Sequence, residues 1–179
     1  TCALPICAWY RGKCYTPDQF LSVKLPEIPL PKVKQQVQYT KEFAPRHRLQ
    51  VCHVNVGGLS QGRLAEIKQW ALMTEANVII LSETRWSFES EWEDKDWYMI
   101  HSGSDEDKAN GILFLIRTTV CTADAIGFAS IIPGRLGHLR IYQQHRSFDL
   151  IGCYQFADDH SSIRYQKRQE FWECLDKVV

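Results

Sequence analysis

The sequence predicts a mixed α/β or α+β fold, with a mixed sheet and two helices, and three observations support that class. The chain has 179 residues, of which 45% are hydrophobic and 23% charged, enough for one domain with a core. From residue 49 the segments alternate strand, helix, strand, then several strands and a helix. Six of the seven prolines lie in the first 45 residues, so the regular elements are expected after them.

Residues 1–48 predict an extended, Pro-rich arm ahead of a domain at 49–179. Proline lacks a backbone donor, so helices and central strands are disfavoured there. The stretch Leu-Pro-Glu-Ile-Pro-Leu-Pro at 25–31 should be polyproline-like. Trp9, Tyr10 and Phe20 make the arm less polar than a free linker, which favours docking on a partner.

Charge does not favour a nucleic-acid binder. The net charge is zero, with 21 basic and 21 acidic residues. Residues 1–48 hold eight Lys and Arg against three Asp and Glu, whereas the remainder holds 13 against 18. A basic surface is the usual sign of phosphate binding, and composition alone does not show one.

No apolar run approaches the roughly 20 residues that a membrane helix needs, so a transmembrane segment is not expected.

The first three elements form a β-α-β unit. Residues 49–55 are β-rich and run into two glycines, as a strand entering a loop does. Residues 63–77 predict a helix with Leu64 and Ala71 on one face. The apolar run Val-Ile-Ile-Leu at 78–81 is typical of a strand buried on both faces.

The rest of the domain predicts more strands and a closing helix. The acidic stretch 89–96 indicates a solvated surface. Strands are predicted at 97–101 and 111–117, and a hairpin with arms at 134–143 and 147–156. Residues 161–179 predict a second helix, because Phe171, Leu175 and Val178 recur at helical spacing.

The spacings of the seven cysteines do not indicate a set of pairs. Cys52, Cys121 and Cys153 lie in strand-like apolar stretches and are expected to be buried and reduced. Cys2, Cys7 and Cys14 lack the close Cys-x-x-Cys pair of most zinc sites, which argues against a metal there. A disulfide among these three stays open.

Polar residues end the first two strands of the domain, namely Asn55 and Glu83. Ligands of α/β proteins bind at such strand ends. A carboxylate beside an amide can hold Mg²⁺, which takes few protein oxygens and keeps several waters. Both residues can equally cap strands or turns, so spacing alone leaves the choice open.

Four motifs in sequence order carry a resemblance to a known family. They are Asn-Val-Gly-Gly-Leu at 55–59, Ile-Ile-Leu-Ser-Glu-Thr at 79–84, Asn-Gly-Ile-Leu-Phe-Leu-Ile at 110–116 and Ile-Gly-Cys-Tyr at 151–154. Residues 49–179 resemble the endonuclease/exonuclease/phosphatase superfamily, most closely the endonuclease domain of non-LTR (LINE-type) retrotransposon polyproteins.

The resemblance implies a fold and a site. The fold would be the N-terminal half of a four-layered α-β-β-α sandwich. Asn55 would be the active-site asparagine, Glu83 the metal-binding glutamate with Asn55 beside it, and Tyr154 the tyrosine near the scissile phosphate. The implied activity is Mg²⁺-dependent hydrolysis of DNA phosphodiesters.

The chain also departs from the family pattern. Ser82 replaces the usual glutamine before the metal-binding glutamate, and Gln155-Phe156 replace the usual Ala-Pro after the tyrosine. The Gly-Asp-x-Asn and Ser-Asp-His motifs that carry the acid–base pair do not occur after Tyr154. The Asp-Asp-His string at 158–160 lies too early and predicts a solvated loop and helix start. The resemblance therefore implies weak or absent Mg²⁺ binding and an inactive fragment.

Two functional hypotheses follow. The first is an endonuclease-like domain fragment of retrotransposon type, derived from a DNA endonuclease, nuclear or cytoplasmic, with DNA as partner. The alternative is a non-catalytic accessory subunit of a large assembly, for example in an organelle, that uses the half-domain for packing. In that hypothesis protein partners cover the open half-sandwich and residues 20–35 of the arm, because a bare apolar sheet face would aggregate.

Overall fold

The computed structural model describes residues 8–10, 13–15, 49–106, 109–143, 146–157 and 159–179. In the predicted arm, β1 (Ala8–Tyr10) pairs antiparallel with β2 (Lys13–Tyr15). The proline content of residues 1–48 did not predict this hairpin. Its two strands lie between Pro5 and Pro17, in a stretch without proline. The predicted polyproline-like stretch at 25–31 and the docking segment 20–35 lie outside the described residues.

A five-stranded mixed sheet forms the first half of the domain. Its strands are β3 (Val51–Asn55), β4 (Val78–Ser82), β5 (Ser90–Glu93), β6 (Trp97–Ser102) and β7 (Ile112–Arg117). They lie in the order β3-β4-β7-β6-β5, where β3 and β4 are parallel and the other pairs antiparallel. Helix α1 (Gln61–Met73) makes the crossover between the two parallel strands, and the Ser60 side chain caps its first turn.

A three-stranded antiparallel sheet follows. It consists of β8 (Ile126–Ile132), β9 (Leu136–Gln143) and β10 (Arg146–Cys153), in the order β10-β9-β8. A short 3₁₀ turn at Ala123–Ala125 leads into it, and helix α2 (Ser162–Val178) follows it. The predicted hairpin and both predicted helices are confirmed.

Buried side chains show that these elements stack as helix, sheet, sheet and helix. Alternate residues of β4 face opposite ways, as the strand period requires: Ile79 and Leu81 join the cluster with α1, whereas Val78 and Ile80 join the cluster with β9. On the far side of the second sheet, Leu136 packs with Phe156, Phe171 and Leu175. The predicted fold class, with a mixed sheet in an α-β-β-α order of layers, is confirmed.

Two strands, β5 and β8, were not predicted. The acidic stretch 89–96 is largely exposed, as predicted, but it contains β5, an edge strand whose Trp92 is half-buried. Cys153 was expected to be buried, but it is exposed at the end of the edge strand β10. Cys52 and Cys121 are half-buried, and all three cysteines are free.

In the described ranges, neither helix is long and apolar enough to cross a membrane.

Candidate active site

Strand pairing places Asn55 and Glu83 at one edge of the five-stranded sheet. Parallel β3 and β4 pair Asn55 with Ser82, so Glu83 follows directly beside it. The Asn55 Oδ1 accepts the N–H of Gly57 at 3.0 Å, and its side chain also hydrogen-bonds the Glu83 carboxylate. Asn55 therefore shapes the turn and lies beside Glu83.

Glu83 lies on a backbone segment that is held from both sides. Its carbonyl accepts the N–H of Gly58 at 2.8 Å, and the N–H of Thr84 donates to Gly111 at 3.2 Å. Glu83 and Arg85 adopt φ values of 60° and 62°, the left-handed region that non-glycine residues seldom occupy. Such strain persists where the surroundings impose it, and it is common at functional sites.

The Glu83 carboxylate also accepts hydrogen bonds from two further side chains, Arg85 and Tyr154. Its Oε2 accepts the phenol O–H of Tyr154 at 2.9 Å, and its Oε1 accepts Nη2 of Arg85 at 2.7 Å. The hydrogen bond from Arg85 is the main cause that holds the pKa of Glu83 below its ordinary value, followed by that from Tyr154. The structure thus brings Asn55, Glu83 and Tyr154 together around an ionised carboxylate.

Arg135 positions Tyr154 from the turn between β8 and β9. Its carbonyl accepts the Tyr154 N–H at 2.7 Å, and its guanidinium lies 4.4 Å from the centre of the Tyr154 ring. The same guanidinium lies 4.6 Å from the Phe156 ring, so it is clamped between two aromatic rings. Burial, and then the hydrogen bond to Glu83, raise the pKa of Tyr154, so its phenol stays a donor at neutral pH.

His101 supports the segment that follows Glu83. Its Nδ1–H donates to the Phe88 carbonyl at 2.7 Å, since a carbonyl can only accept, and its Nε2 accepts from Thr84 Oγ1 at 2.8 Å. Burial lowers the pKa of His101 to about 4, so the ring is neutral. It is a structural histidine inside the fold.

Solved structures share this architecture. The AP endonuclease LMAP from Leishmania major matches with a TM-score of 0.53 and 11% identity, covering 71% of this chain and 46% of that one. The catalytic domain of Xenopus laevis APE2 matches with a TM-score of 0.50 and 14% identity, covering 72% and 52%. The α-β-β-α sandwich of this chain is therefore a fold that it shares with these two endonucleases. No protein-family model and no curated protein matches the chain.

The likeness confirms the fold that the resemblance implied. The relation to the superfamily and the closer relation to LINE-type endonucleases stay predictions, since the matched structures are AP endonucleases of low identity to this chain. The chain spans about half the length of each. At such low identity the likeness establishes the fold, while the site is argued from this chain's own residues.

Sequence reasoning missed two residues of the site, Arg85 and Arg135. Arg85 stands two residues after Glu83, and this close pair of opposite charges was a usable signal. Arg135 follows Pro133 and Gly134 in a turn and meets Tyr154 only through sheet pairing. No local pattern marks such a contact.

Two residues of the Asp-Asp-His string, Asp159 and His160, directly precede the start of α2, as expected. The Asp159 carboxylate accepts the N–H and the hydroxyl of Ser161 at 3.0 and 2.6 Å, and it lies 3.5 Å from Arg164. Residue 158 lies outside the described residues. Asp159 therefore organises the helix start.

A hard cation fits the site in the type of its ligands. Glu83 is an ionised carboxylate beside the amide of Asn55, and Mg²⁺ binds through one or two carboxylates while keeping several waters. In the described part of the chain, no three His, Cys, Asp or Glu side chains converge to form a larger ligand set. One carboxylate of this kind suits weak binding.

Proposed function

We propose that this chain is an endonuclease-like domain of LINE retrotransposon type that holds a DNA phosphodiester at Asn55, Glu83 and Tyr154. The observation that carries the proposal is the 2.9 Å hydrogen bond between Tyr154 and Glu83, which lie 71 residues apart and follow strands of different sheets. A protonated phenol, an ionised carboxylate and an exposed guanidinium, gathered where strands of the two sheets end, suit recognition of a phosphodiester.

Each residue has a distinct role in this proposal. Glu83, with Asn55 beside it, would hold Mg²⁺, which supplies charge neutralisation and polarises a phosphoryl oxygen. Tyr154 donates a hydrogen bond from a phenol that remains protonated. Arg85, whose side chain is 54% exposed, offers a planar guanidinium suited to phosphate oxygens.

We also propose that residues 1–179 alone do not hydrolyse the bond. Hydrolysis needs groups that activate water and protonate the leaving oxygen, which typically contribute about 10²–10⁴-fold. Two candidates among the described residues are otherwise engaged. His101 is neutral and buried between Thr84 and Phe88, and Asp159 organises the start of α2. The chain thus supplies the recognition part of a phosphodiesterase site.

One experiment tests both parts. Binding of labelled duplex DNA and nicking of supercoiled plasmid are measured with and without Mg²⁺ for the unchanged chain, Glu83→Gln and Glu66→Gln. Glu66 is exposed on α1, so its variant removes one carboxylate outside the site. We expect Mg²⁺ to strengthen DNA binding by several-fold, Glu83→Gln to remove that gain, Glu66→Gln to retain it, and no variant to nick.

The other outcomes discriminate clearly. Nicking that Glu83→Gln abolishes would overturn the inactivity while supporting the site. DNA binding that ignores both Mg²⁺ and Glu83 would overturn the site.

An accessory role is the second candidate, and an exposed apolar group favours it. Trp70, Leu72 and Met73 at the end of α1 are 41%, 38% and 72% exposed. Apolar groups of this kind are typical of protein interfaces. Failure of the chain to bind DNA at all would leave this role as the better account.

A further inference from the structure

A buried serine, Ser102, joins the two sheets at the end of strand β6. It is 1% exposed, and its Oγ accepts the N–H of Gly134 at 2.9 Å. The same Oγ lies 2.7 Å from the Oγ of Ser130 in β8. The carboxylate of Glu89, directly before β5, lies 3.2 Å from the Ser102 Oγ and 2.9 Å from the Ser130 Oγ. Ser102 therefore lies in a polar network that links the five-stranded sheet to the three-stranded sheet.

The network leaves the Ser102 oxygen free to accept from Gly134. A carboxylate can only accept, so the protons come from the two serine hydroxyls, one from each. At most two of the three contacts among Glu89, Ser102 and Ser130 are therefore hydrogen bonds at one time. In every arrangement a lone pair of the Ser102 oxygen remains for the N–H of Gly134, because a hydroxyl oxygen has two.

Gly134 lies in the turn between β8 and β9, and this turn is tightly packed. Its φ of 69° is in the left-handed region that favours glycine. Its carbonyl accepts the N–H of Gly111 at 3.0 Å. A Cβ added to Gly134 would lie 2.9 Å from both the Gly111 nitrogen and the Cγ of Asn110. The turn therefore has no room to move toward residues 110–111.

Two backbone hydrogen bonds connect this turn to the candidate site. On one side, Gly111, which donates to the turn, accepts through its carbonyl the N–H of Thr84 at 3.2 Å, next to Glu83. On the other side, Arg135 follows Gly134 in the turn, and its carbonyl accepts the N–H of Tyr154 at 2.7 Å. The position of the turn therefore affects both residues of the site pair.

We propose that Ser102 is a positioning residue of the candidate site: through the turn at 133–135 it keeps Tyr154 within hydrogen-bonding distance of Glu83. This inference rests on the proposed function, since it concerns the same residue pair. Ser102→Ala would leave the buried N–H of Gly134 without its acceptor, which is unfavourable. The turn is then expected to shift, and Tyr154 to move with it.

The titration of Glu83 reports the position of Tyr154, because the hydrogen bond from Tyr154 lowers the pKa of Glu83. Carboxyl-carbon NMR measures it in the unchanged chain, Ser102→Ala, Tyr154→Phe, the double variant and Ser82→Ala. Ser82→Ala is the matched control. The Ser82 hydroxyl is as buried as that of Ser102 and directly precedes Glu83, but it has no hydrogen-bond partner in the part of the chain that the structure describes.

We expect Ser102→Ala to raise the pKa of Glu83 in the same direction as Tyr154→Phe. The double variant should raise it little beyond Tyr154→Phe alone, because both changes act on one hydrogen bond. Ser82→Ala should leave the titration unchanged. A residue that only stabilised the fold would lower the melting temperature without changing the Glu83 titration of the folded state, so melting curves accompany each measurement.

Three results would overturn the proposal: an unchanged Glu83 titration in folded Ser102→Ala, an equal rise in Ser82→Ala, or additive rises in the double variant. If Ser102→Ala does not fold, Ser130→Ala replaces it, since it removes a half-buried partner of the Ser102 hydroxyl. A smaller rise is then expected, and an unchanged titration would overturn the proposal. The titration uses neither DNA nor Mg²⁺, so its failure is distinguishable from failure of the DNA-binding experiment.

Discussion

Glu83 combines a strained backbone with a carboxylate that is held ionised by its neighbours. Arg85, Tyr154 and Asn55 all hydrogen-bond it, in that order of importance for its pKa. Because the folded-state pKa is below the unfolded value, this carboxylate stabilises the fold above the unfolded pKa. That stabilisation is lost as the pH falls through the folded pKa. The same contacts that build the site therefore make it sensitive to acid.

Removing the Arg85 donor or the Tyr154 donor should raise the pKa of Glu83, to different extents. We expect a larger rise in Arg85→Gln than in Tyr154→Phe, because Arg85 is the leading cause of the lowered pKa. Carboxyl-carbon NMR titration of the folded variants measures both shifts. Tyr165→Phe, which removes a hydroxyl from an exposed tyrosine on α2, is the control and should leave the Glu83 titration unchanged. An unchanged titration in Tyr154→Phe would contradict the contact between Tyr154 and Glu83.

At the residue scale, the sequence predicted the strand-end residues but not the groups that position them. Asn55 and Glu83 follow strands with clear apolar patterns, so their place at a sheet edge was predictable. Tyr154 required the resemblance, since it follows β10 in the other sheet. Arg135 acts through a turn, and its stacking on Tyr154 depends on which strands pair, a non-local choice that no short pattern encodes.

At the scale of elements, α2 depends on the cap that begins it. Ser161 Oγ accepts the N–H of Arg164 at 3.2 Å and donates to Asp159. Ser161→Ala should lower the free energy of unfolding by about 1 kcal/mol, because an orphan N–H loses its partner. Ser162→Ala, the next residue and exposed, should cost little or nothing, because alanine suits a helix interior.

Urea unfolding of the two serine variants provides the comparison. Equal stability of both would show that the Ser161 cap does not contribute. A loss confined to Ser161→Ala would show that the cap stabilises the start of α2.

Missed elements show why the sequence understates the sheets. Strand β5 has the sequence Ser-Glu-Trp-Glu, and its charges are typical of a solvated loop. It is an edge strand, however, and only its Trp92 packs against the core. Strand β8 contains Gly127 and Ser130, which weaken its β pattern, and it forms because β9 pairs with it along most of its length. Pairing with β9 therefore stabilises β8, although the β propensity of its own sequence is low.

At the scale of the molecule, the candidate site exists only if the two sheets stay packed. Glu83 follows the five-stranded sheet, whereas Tyr154 follows the three-stranded one. Phe114 of β7 fills the space between them and contacts Phe128 edge-on, with ring centres 5.5 Å apart. Gly137 and Gly152 leave room for this ring, since an added Cβ would lie 3.0 and 2.6 Å from its atoms.

Phe114→Ala therefore tests how strongly this ring holds the two sheets together. Deleting a fully buried phenylalanine costs about 3–5 kcal/mol, and here the cavity opens between the two sheets. Phe88→Ala is the control and should cost less, because that ring is 47% exposed whereas Phe114 is fully buried. Urea unfolding, followed by circular dichroism, measures both losses. A cost below about 1 kcal/mol for Phe114→Ala would mean that the sheets are not held together through this ring. The hydrogen bond from Tyr154 to Glu83 would then need another support, because it joins residues that the chain itself leaves far apart.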